Sequence, residues 1–471
     1  MTRPQLTALI IASALFMENI DSTVIATALP TIAADIGSDP IRLKLAITAY
    51  LLSLATFIPV SGWAADRFGA KLVFRAAIVV FMVGSVMCSL ATSLPEFVMA
   101  RIIQGAGGAM MTPVGRLVLL RTTPKAELLS AMHWLTVPAL MGPLLGPPLG
   151  GFIATYFDWR WIFWINIPVG LAGMLLVTLF IDDVKSYEPR KLDLLGFVLS
   201  GVGLSGLVFG LSVLGQNMLP LPVSFAMVGV GAVSTTLYLL HARRVSAPLL
   251  DLTLLRLPTF YCSAVGGLFF RIGIGSIPFL LPLMLQIGLG LSAFEAGGLT
   301  FFSAIGALAM KFTAKPIVYR FGFRTVLIWN GLISSAALGA MALFAYNVPA
   351  ILVVSILLVG GFFRSLQFTC INSMAYAEVD QPRMSLATSL FSVTQQVSLA
   401  AGVAIGAAVI EMQRAMRPDQ IIYVQDFVPA FVTVATISLL SVLFYLRLPA
   451  DAAAEMAQKP QPAARKPVAS I

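Results

Sequence analysis

Charge is scarce in this sequence: 11% of its 471 residues are Asp, Glu, Lys or Arg, against roughly a quarter in a soluble domain. Hydrophobic residues make up 58%, and the mean hydropathy is +0.92. That composition excludes water as the main solvent of the folded chain. Histidine and cysteine are almost missing. His133 and His241 lack acidic, Cys or His partners at ligand spacing, which argues against a metal centre. Cys88, Cys262 and Cys370 lie far apart in apolar stretches. They give neither a disulfide framework nor a zinc site and are expected to be buried and inert. No G-x-x-x-x-G-K loop is present, so ATP is not the expected energy source. No nucleophile, His or metal constellation in the apolar segments suggests an enzyme. The formal net charge is +9, yet its basic residues form no runs interleaved with aromatics, so a nucleic-acid partner is not expected.

Long apolar runs are abundant. A crossing of roughly 30 Å of hydrocarbon needs about 20 mostly apolar residues. Such stretches fall near 5–29, 43–65, 72–94, 96–120, 127–156 and 160–181, then 192–215 and 220–241. Six more follow near 259–287, 293–314, 324–346, 349–376, 384–411 and 427–446. This predicts a first six-helix unit over 1–181, two further spans with polar linkers over 182–258, and a second six-helix unit over 259–447. The tail at 448–471, rich in Ala, Pro and Lys, is expected to be disordered. The first span is too long for a signal-peptide core and carries Glu18 and Asp21, so it is expected to be retained.

Cytoplasmic loops are enriched in Lys and Arg. Of the 30 such residues, 20 fall at the termini and in loops after even-numbered spans, whereas Arg42, Lys44, Arg160, Arg414 and Arg417 occupy the alternate loops. Both termini are therefore expected in the cytoplasm. An internal repeat supports the two units: Asp66-Arg67-Phe68-Gly69-Ala70-Lys71 recurs 253 residues later as Tyr319-Arg320-Phe321-Gly322-Phe323-Arg324. Repeated halves in one membrane chain commonly enclose a midplane site with alternating access.

Four motifs give the chain a family resemblance. Asp21-Ser22-Thr23-Val24-Ile25-Ala26-Thr27-Ala28-Leu29-Pro30 resembles D-x-T-V-V-N-V-A-L-P, and Gly62-Trp63-Ala64-Ala65-Asp66-Arg67-Phe68-Gly69-Ala70-Lys71 resembles G-x-L-A-D-R-x-G-R-K. Arg101-Ile102-Ile103-Gln104-Gly105 matches R-x-x-Q-G, and Gly142, Pro143, Gly146, Pro147, Gly150 and Gly151 fall within a stretch that matches the antiporter signature G-x-x-x-G-P-x-x-G-G. In order on successive spans, these are similar to the fourteen-span drug:proton antiporters of the major facilitator superfamily. Leu281-Pro282-Leu283-Met284-Leu285-Gln286 resembles the enterobacterial MdtD-like subgroup. The resemblance implies an all-α membrane protein of the major facilitator fold, with 14 transmembrane helices as two six-helix bundles plus two linker helices. It further implies a multi-pass protein of the bacterial inner membrane and a proton gradient in place of any cofactor. Ala26, Ala64, Ala70 and Tyr319 depart from the family pattern.

Glu18 and Asp21 are the acids deepest within a span, where an unpaired charge costs several kcal/mol. Three residues apart, they share a helix face and are expected to address one cavity as a proton relay. Arg101 is the arginine that the resemblance places in communication with them. Arg271 and Arg364 lie mid-span, where snorkelling is hardest, and with Gln395, Gln396 and Asn166 they are the substrate-binding candidates. Arg116 and Lys311 lie near span ends and are expected to snorkel. Asp66, Arg67 and Lys71 read as a gate in which the aspartate meets a helix N-terminus in one state only. The glycines and prolines of 142–151 favour a tight, bent contact that seals against proton leak.

These residues point to a proton-coupled antiporter exporting small molecules, drugs among them. Its partners are the substrate, protons and the bilayer, and it is expected to be a monomer, with accessory export proteins as an option. Because the spans hold more basic than acidic residues, export of an organic anion or metabolite is an alternative. A non-transporting membrane sensor or assembly partner is the alternative of a different class.

Overall fold

The computed structural model describes residues 3–37, 40–182, 191–213, 219–291, 293–346, 348–417, 422–450, 452, 453 and 456, and every regular element among them is helical. Helices satisfy their own backbone hydrogen bonds, which hydrocarbon demands of any lipid-facing segment. The first group comprises α1 (Arg3–Asp35), α2 (Pro40–Phe57), α3 (Ser61–Phe68), α4 (Ala70–Leu90) and α5 (Leu94–Thr122). It continues with α6 (Lys125–Tyr156), α7 (Trp161–Trp164) and α8 (Asn166–Phe180). A central pair follows, α9 (Leu194–Val213) and α10 (Leu221–Ala242). The last group comprises α11 (Pro258–Tyr261), α12 (Gly267–Leu283), α13 (Ala293–Ala340), α14 (Ala350–Met374), α15 (Met384–Ala415), α16 (Phe427–Leu439) and α17 (Ser441–Tyr445). Among the described residues, ten helical segments are long and apolar enough to cross a membrane. The tail expected from 448 falls almost wholly outside the described residues, as do 183–190 of the first linker.

The repeated loop has a backbone meaning. Gly69 takes φ +90° between α3 and α4, and Gly322 takes φ +73° within α13. Both turns need a left-handed residue, which glycine adopts without a Cβ penalty. At Gly322 the chain bends while remaining helical on both sides, so two crossings run on as the single element α13.

Packing sorts the helices. In the first group α1 lies along α6 while α5 lies between α2 and α4; in the last, α13 lies along α14 while α12 contacts α15 and α16. The central pair packs on itself through glycine: a Cβ on Gly206 would stand 2.8 Å from the Gly231 Cα. Between the groups, α15 meets α3, α5 and α9, and α6 meets α13 and α14. Large apolar side chains face outward, Phe312, Ile351 and Trp329 among them, as expected when lipid is the solvent. Tyr156, Phe157 and Trp161 are exposed where α6 turns into α7, a position suited to the membrane interface.

Beyond the end of α10, Asp251 ties the linker to the loop before α15. Its Oδ2 accepts from Arg383 Nε and Nη2 at 3.2 and 2.8 Å, and its Oδ1 from the Thr253 amide at 2.9 Å. Burial pushes the carboxyl pKa up, but the hydrogen bonds from Thr253 and Arg383 outweigh it and hold Asp251 below its ordinary value.

Candidate functional site between the helix groups

Asp21 is wholly buried, and each carboxylate oxygen has a donor. Arg101 Nη1 donates to Oδ2 at 2.5 Å; Gln104 Nε2 and Asn166 Nδ2 donate to Oδ1 at 2.9 and 2.8 Å. Both amides also donate to Ser85 Oγ, at 2.8 and 3.1 Å. Arg101 donates to Gln104 Oε1 at 2.6 Å and stacks its guanidinium 4.2 Å from the Tyr50 ring centre. A buried ion pair repays its desolvation only when such further bonds are in place. The cluster thus joins α1, α2, α4, α5 and α8 around one negative charge.

Glu18 has a different environment. Its Oε2 accepts from Thr112 at 3.3 Å, and it lines a cavity of about 270 Å³ together with Tyr50, Thr112, Gln395 and Gln396. The cavity therefore lies between the first group and α15. Glu18 and Asp21 do not address one space, contrary to the expectation from their spacing. Asp21 is turned into the helix bundle, and Glu18 faces the gap. Of the polar candidates, Gln395 and Gln396 line that gap, whereas Asn166 belongs to the Asp21 cluster and does not line the cavity.

Arg116 was expected to snorkel, but it is buried and donates from Nη2 to Gln395 Oε1 at 3.2 Å. Its guanidinium carbon lies 5.8 Å from the centre of the Phe391 ring, and that of Arg271 lies 4.5 Å from the same ring. Arg271 is wholly buried, and among the described residues none of its three guanidinium nitrogens has a hydrogen-bond partner. It does not line the Glu18 cavity; Phe391 stands beside it. Arg364 is also away from that cavity, with Nη2 donating to Ser303 Oγ at 2.7 Å. Lys311, likewise expected to snorkel, is buried and donates to Thr369 Oγ1 at 3.2 Å. Helix packing, not distance from the span end, decides the depth of these long side chains.

At the opposite end of the gap the groups touch. Asp66 accepts from Arg121 Nη2 at 2.8 Å and from the Ser385 hydroxyl in the first turn of α15. Ser61 Oγ and Ser389 Oγ lie 3.0 Å apart, and a Cβ on Gly62 would stand 2.7 Å from the Ser385 carbonyl oxygen. Among the described residues, Asp66 is the one gate candidate with a contact across the gap. Arg67 is exposed, and Lys71 donates to the Thr178 carbonyl of α8, within its own group, at 2.9 Å.

The glycine motif sits on α6 against α1. A Cβ on Gly142 would stand 2.7 Å from the Asn19 Cβ, and one on Gly146 2.8 Å from the Thr23 Cβ. Gly150 is buried in the same helix. Pro143, Pro147, Pro148 and Gly151 lie within α6, but their side-chain environment is outside the described residues.

Gln104, Ser85 and Tyr50 were not picked out from the sequence, although Gln104 stands inside the R-x-x-Q-G motif and carries a readable signal. Ser85 and Tyr50 carry none, because hydroxyl residues in spans more often bond their own helix.

The Major Facilitator Superfamily model matches residues 11–254 and 263–471. The chain is 36% identical over 446 residues to the MdtD protein of Pectobacterium atrosepticum, covering 94% of this chain and 95% of the relative. It is also 36% identical over 450 residues to MdtD of Salmonella heidelberg, with 94% of each covered; both relatives are named for multidrug resistance. Among solved structures, the human organic anion transporter MFSD10 matches with a TM-score of 0.68 at 13% identity, covering 94% of this chain and all of that one. The proton:xylose symporter XylE matches with a TM-score of 0.65 at 16% identity, covering 94% and 95%.

Proposed function

Since the chain belongs to the major facilitator superfamily, and is thus a multi-pass secondary transporter and not an enzyme, we propose that it exports small molecules in exchange for protons. The observation that carries this reading is the Asp21 cluster: a buried carboxylate fully held by Arg101, Gln104 and Asn166, one helical turn from a second acid on a cavity. Protonation of Asp21 would release Arg101 and loosen a contact joining five helices. Glu18 takes the proton from the cavity, and Asp21 converts it into a packing change. State-dependent contacts of this kind bias a two-state equilibrium, with Asp66 and the first turn of α15 closing one face. The tight Gly142 and Gly146 contacts of α6 with α1 restrict leakage.

The topology in this reading has fourteen crossings: the ten apolar segments with α13 counted as two, plus α2, α5 and α6. Residues 1–181 and 259–447 are the two moving units, 182–258 the added pair with its linkers, and 448–471 the tail. Both termini face the cytoplasm of a bacterium, the protein works as a monomer, and the proton gradient supplies the energy without a cofactor.

The names of the MdtD relatives favour drugs as substrates. A second reading, an anionic substrate, rests on Arg271, a wholly buried guanidinium without a hydrogen-bond partner among the described residues, near the buried Arg116. Proteoliposomes with an imposed pH gradient test both. Coupled flux should vanish in Asp21→Asn. Undiminished flux there overturns the coupling role, and cationic-dye export insensitive to Arg271→Ala overturns the anion reading.

A further inference from the structure

Away from the transport cavity, the linker after α10 folds into a second cavity of about 1,090 Å³. Three arginines line it: Arg243 just past α10, Arg256 at the end of the turn Leu252–Arg256, and Arg383 in the turn before α15. Leu239, Leu252 and Leu255 supply an apolar wall. The carboxylate of Asp251 lines it as well, but it is engaged by Arg383 Nε and Nη2 at 3.2 and 2.8 Å. Arg243 and Arg256 are exposed, and among the described residues neither has an ion-pair partner. Two uncompensated positive charges thus stand over an apolar wall at the end of a membrane-spanning helix.

That is the level at which lipid headgroups meet acyl chains. Free phosphate would leave the leucines unused, and an acyl chain alone would leave the arginines unused. We propose that this cavity binds an anionic phospholipid, its phosphate against Arg243 and Arg256 and its glycerol and upper chains along Leu239, Leu252 and Leu255. Basic pockets between spans attract such headgroups through surface electrostatics. A lipid here ties the end of α10 to the Arg383 loop. It joins the central pair to the last helix group where covalent connection is only a loop. The inference needs the membrane fold and is independent of what the protein transports.

The test titrates the full-length protein in neutral detergent with phosphatidylglycerol or phosphatidylcholine of equal chain length, reading bound lipid by native mass spectrometry. Phosphatidylglycerol should bind in preference, and Arg243→Gln and Arg256→Gln should each weaken it about fivefold. Arg244→Gln, outside the cavity lining, should leave it unchanged, and Arg256→Lys should keep most of it. Equal binding of the two lipids would overturn the proposal. So would undiminished binding in the Arg243→Gln/Arg256→Gln protein, or glycerol phosphate binding as tightly as the lipid. If Arg256→Gln does not fold, Arg243→Gln, at an exposed position, carries the same decision.

Discussion

Asp21 and Arg271 are both wholly buried charges, yet one has a donor on each carboxylate oxygen and the other, among the described residues, has no hydrogen bond from its guanidinium. The first-group charge is built into the protein, with its counter-ion supplied from the same group. The last-group charge is held by packing against Phe391 and keeps its donors unspent. A buried pair is costly to break, while a buried single ion is costly to keep. Stability and function should therefore separate at the two sites.

The largest effect is expected from Arg101→Leu. It strands the Asp21 carboxylate and should cost about 3–5 kcal/mol, seen as a sharp fall in melting temperature in detergent together with loss of coupled flux. Arg271→Met should move stability the opposite way, raising the melting temperature because an unpaired ion leaves the interior. It should also reduce export of anionic substrate by at least about tenfold, the loss of one charge-assisted contact. If Arg271→Met destabilises as strongly as Arg101→Leu, the contrast between the sites is wrong. Gly146→Ala sharpens the comparison from the packing side, since its Cβ would press on Thr23. The expected cost is about 1–3 kcal/mol, with proton leak measured by dye quenching in vesicles. Glu18→Gln should lower coupled flux yet shift stability by less than about 1 kcal/mol, because its hydrogen bond from Thr112 can be remade to an amide oxygen.

The smallest effect belongs to Asp251, outside the spans. Its lowered pKa means that its contribution is present above the unfolded-state value of about 3.9 and is lost as pH falls through the lower folded-state value. Asp251→Asn should cost about 1 kcal/mol or less at neutral pH, and its melting curve should converge with the wild-type curve only in strong acid. Convergence already at pH 5 would show that the Arg383 clamp contributes nothing.

Much of this contrast could be read from the sequence, and its limits are instructive. Asp21, Arg101 and Gln104 all stand in motifs, so the meeting of α1 and α5 was foreshadowed, but Ser85 and Tyr50 only acquire meaning once α2 and α4 close around the pair. Spacing put Glu18 and Asp21 on one face; three residues still differ by about 60° around a helix of 3.6 residues per turn. That angle was enough to send one acid to the cavity and the other into the bundle. Arg271 stood out by lying mid-span, but depth along a span carries no rotation, and the side chain turned toward Phe391. Lys311 was judged by its distance from a span end. In the structure α13 runs on past that end, and Thr369 of α14 holds the amine inside.

The approach of Gly62 to the Ser385 carbonyl offers a handle of another kind. A single methyl group placed there would stand 2.7 Å from that oxygen, so the contact between α3 and α15 must give way. Gly62→Ala would act as a wedge at that contact, and under the proposed mechanism it would favour the opposite conformer without touching Glu18 or Asp21. Such a trapped form would give structural work, binders and inhibitor screens a uniform target from one atom-scale edit.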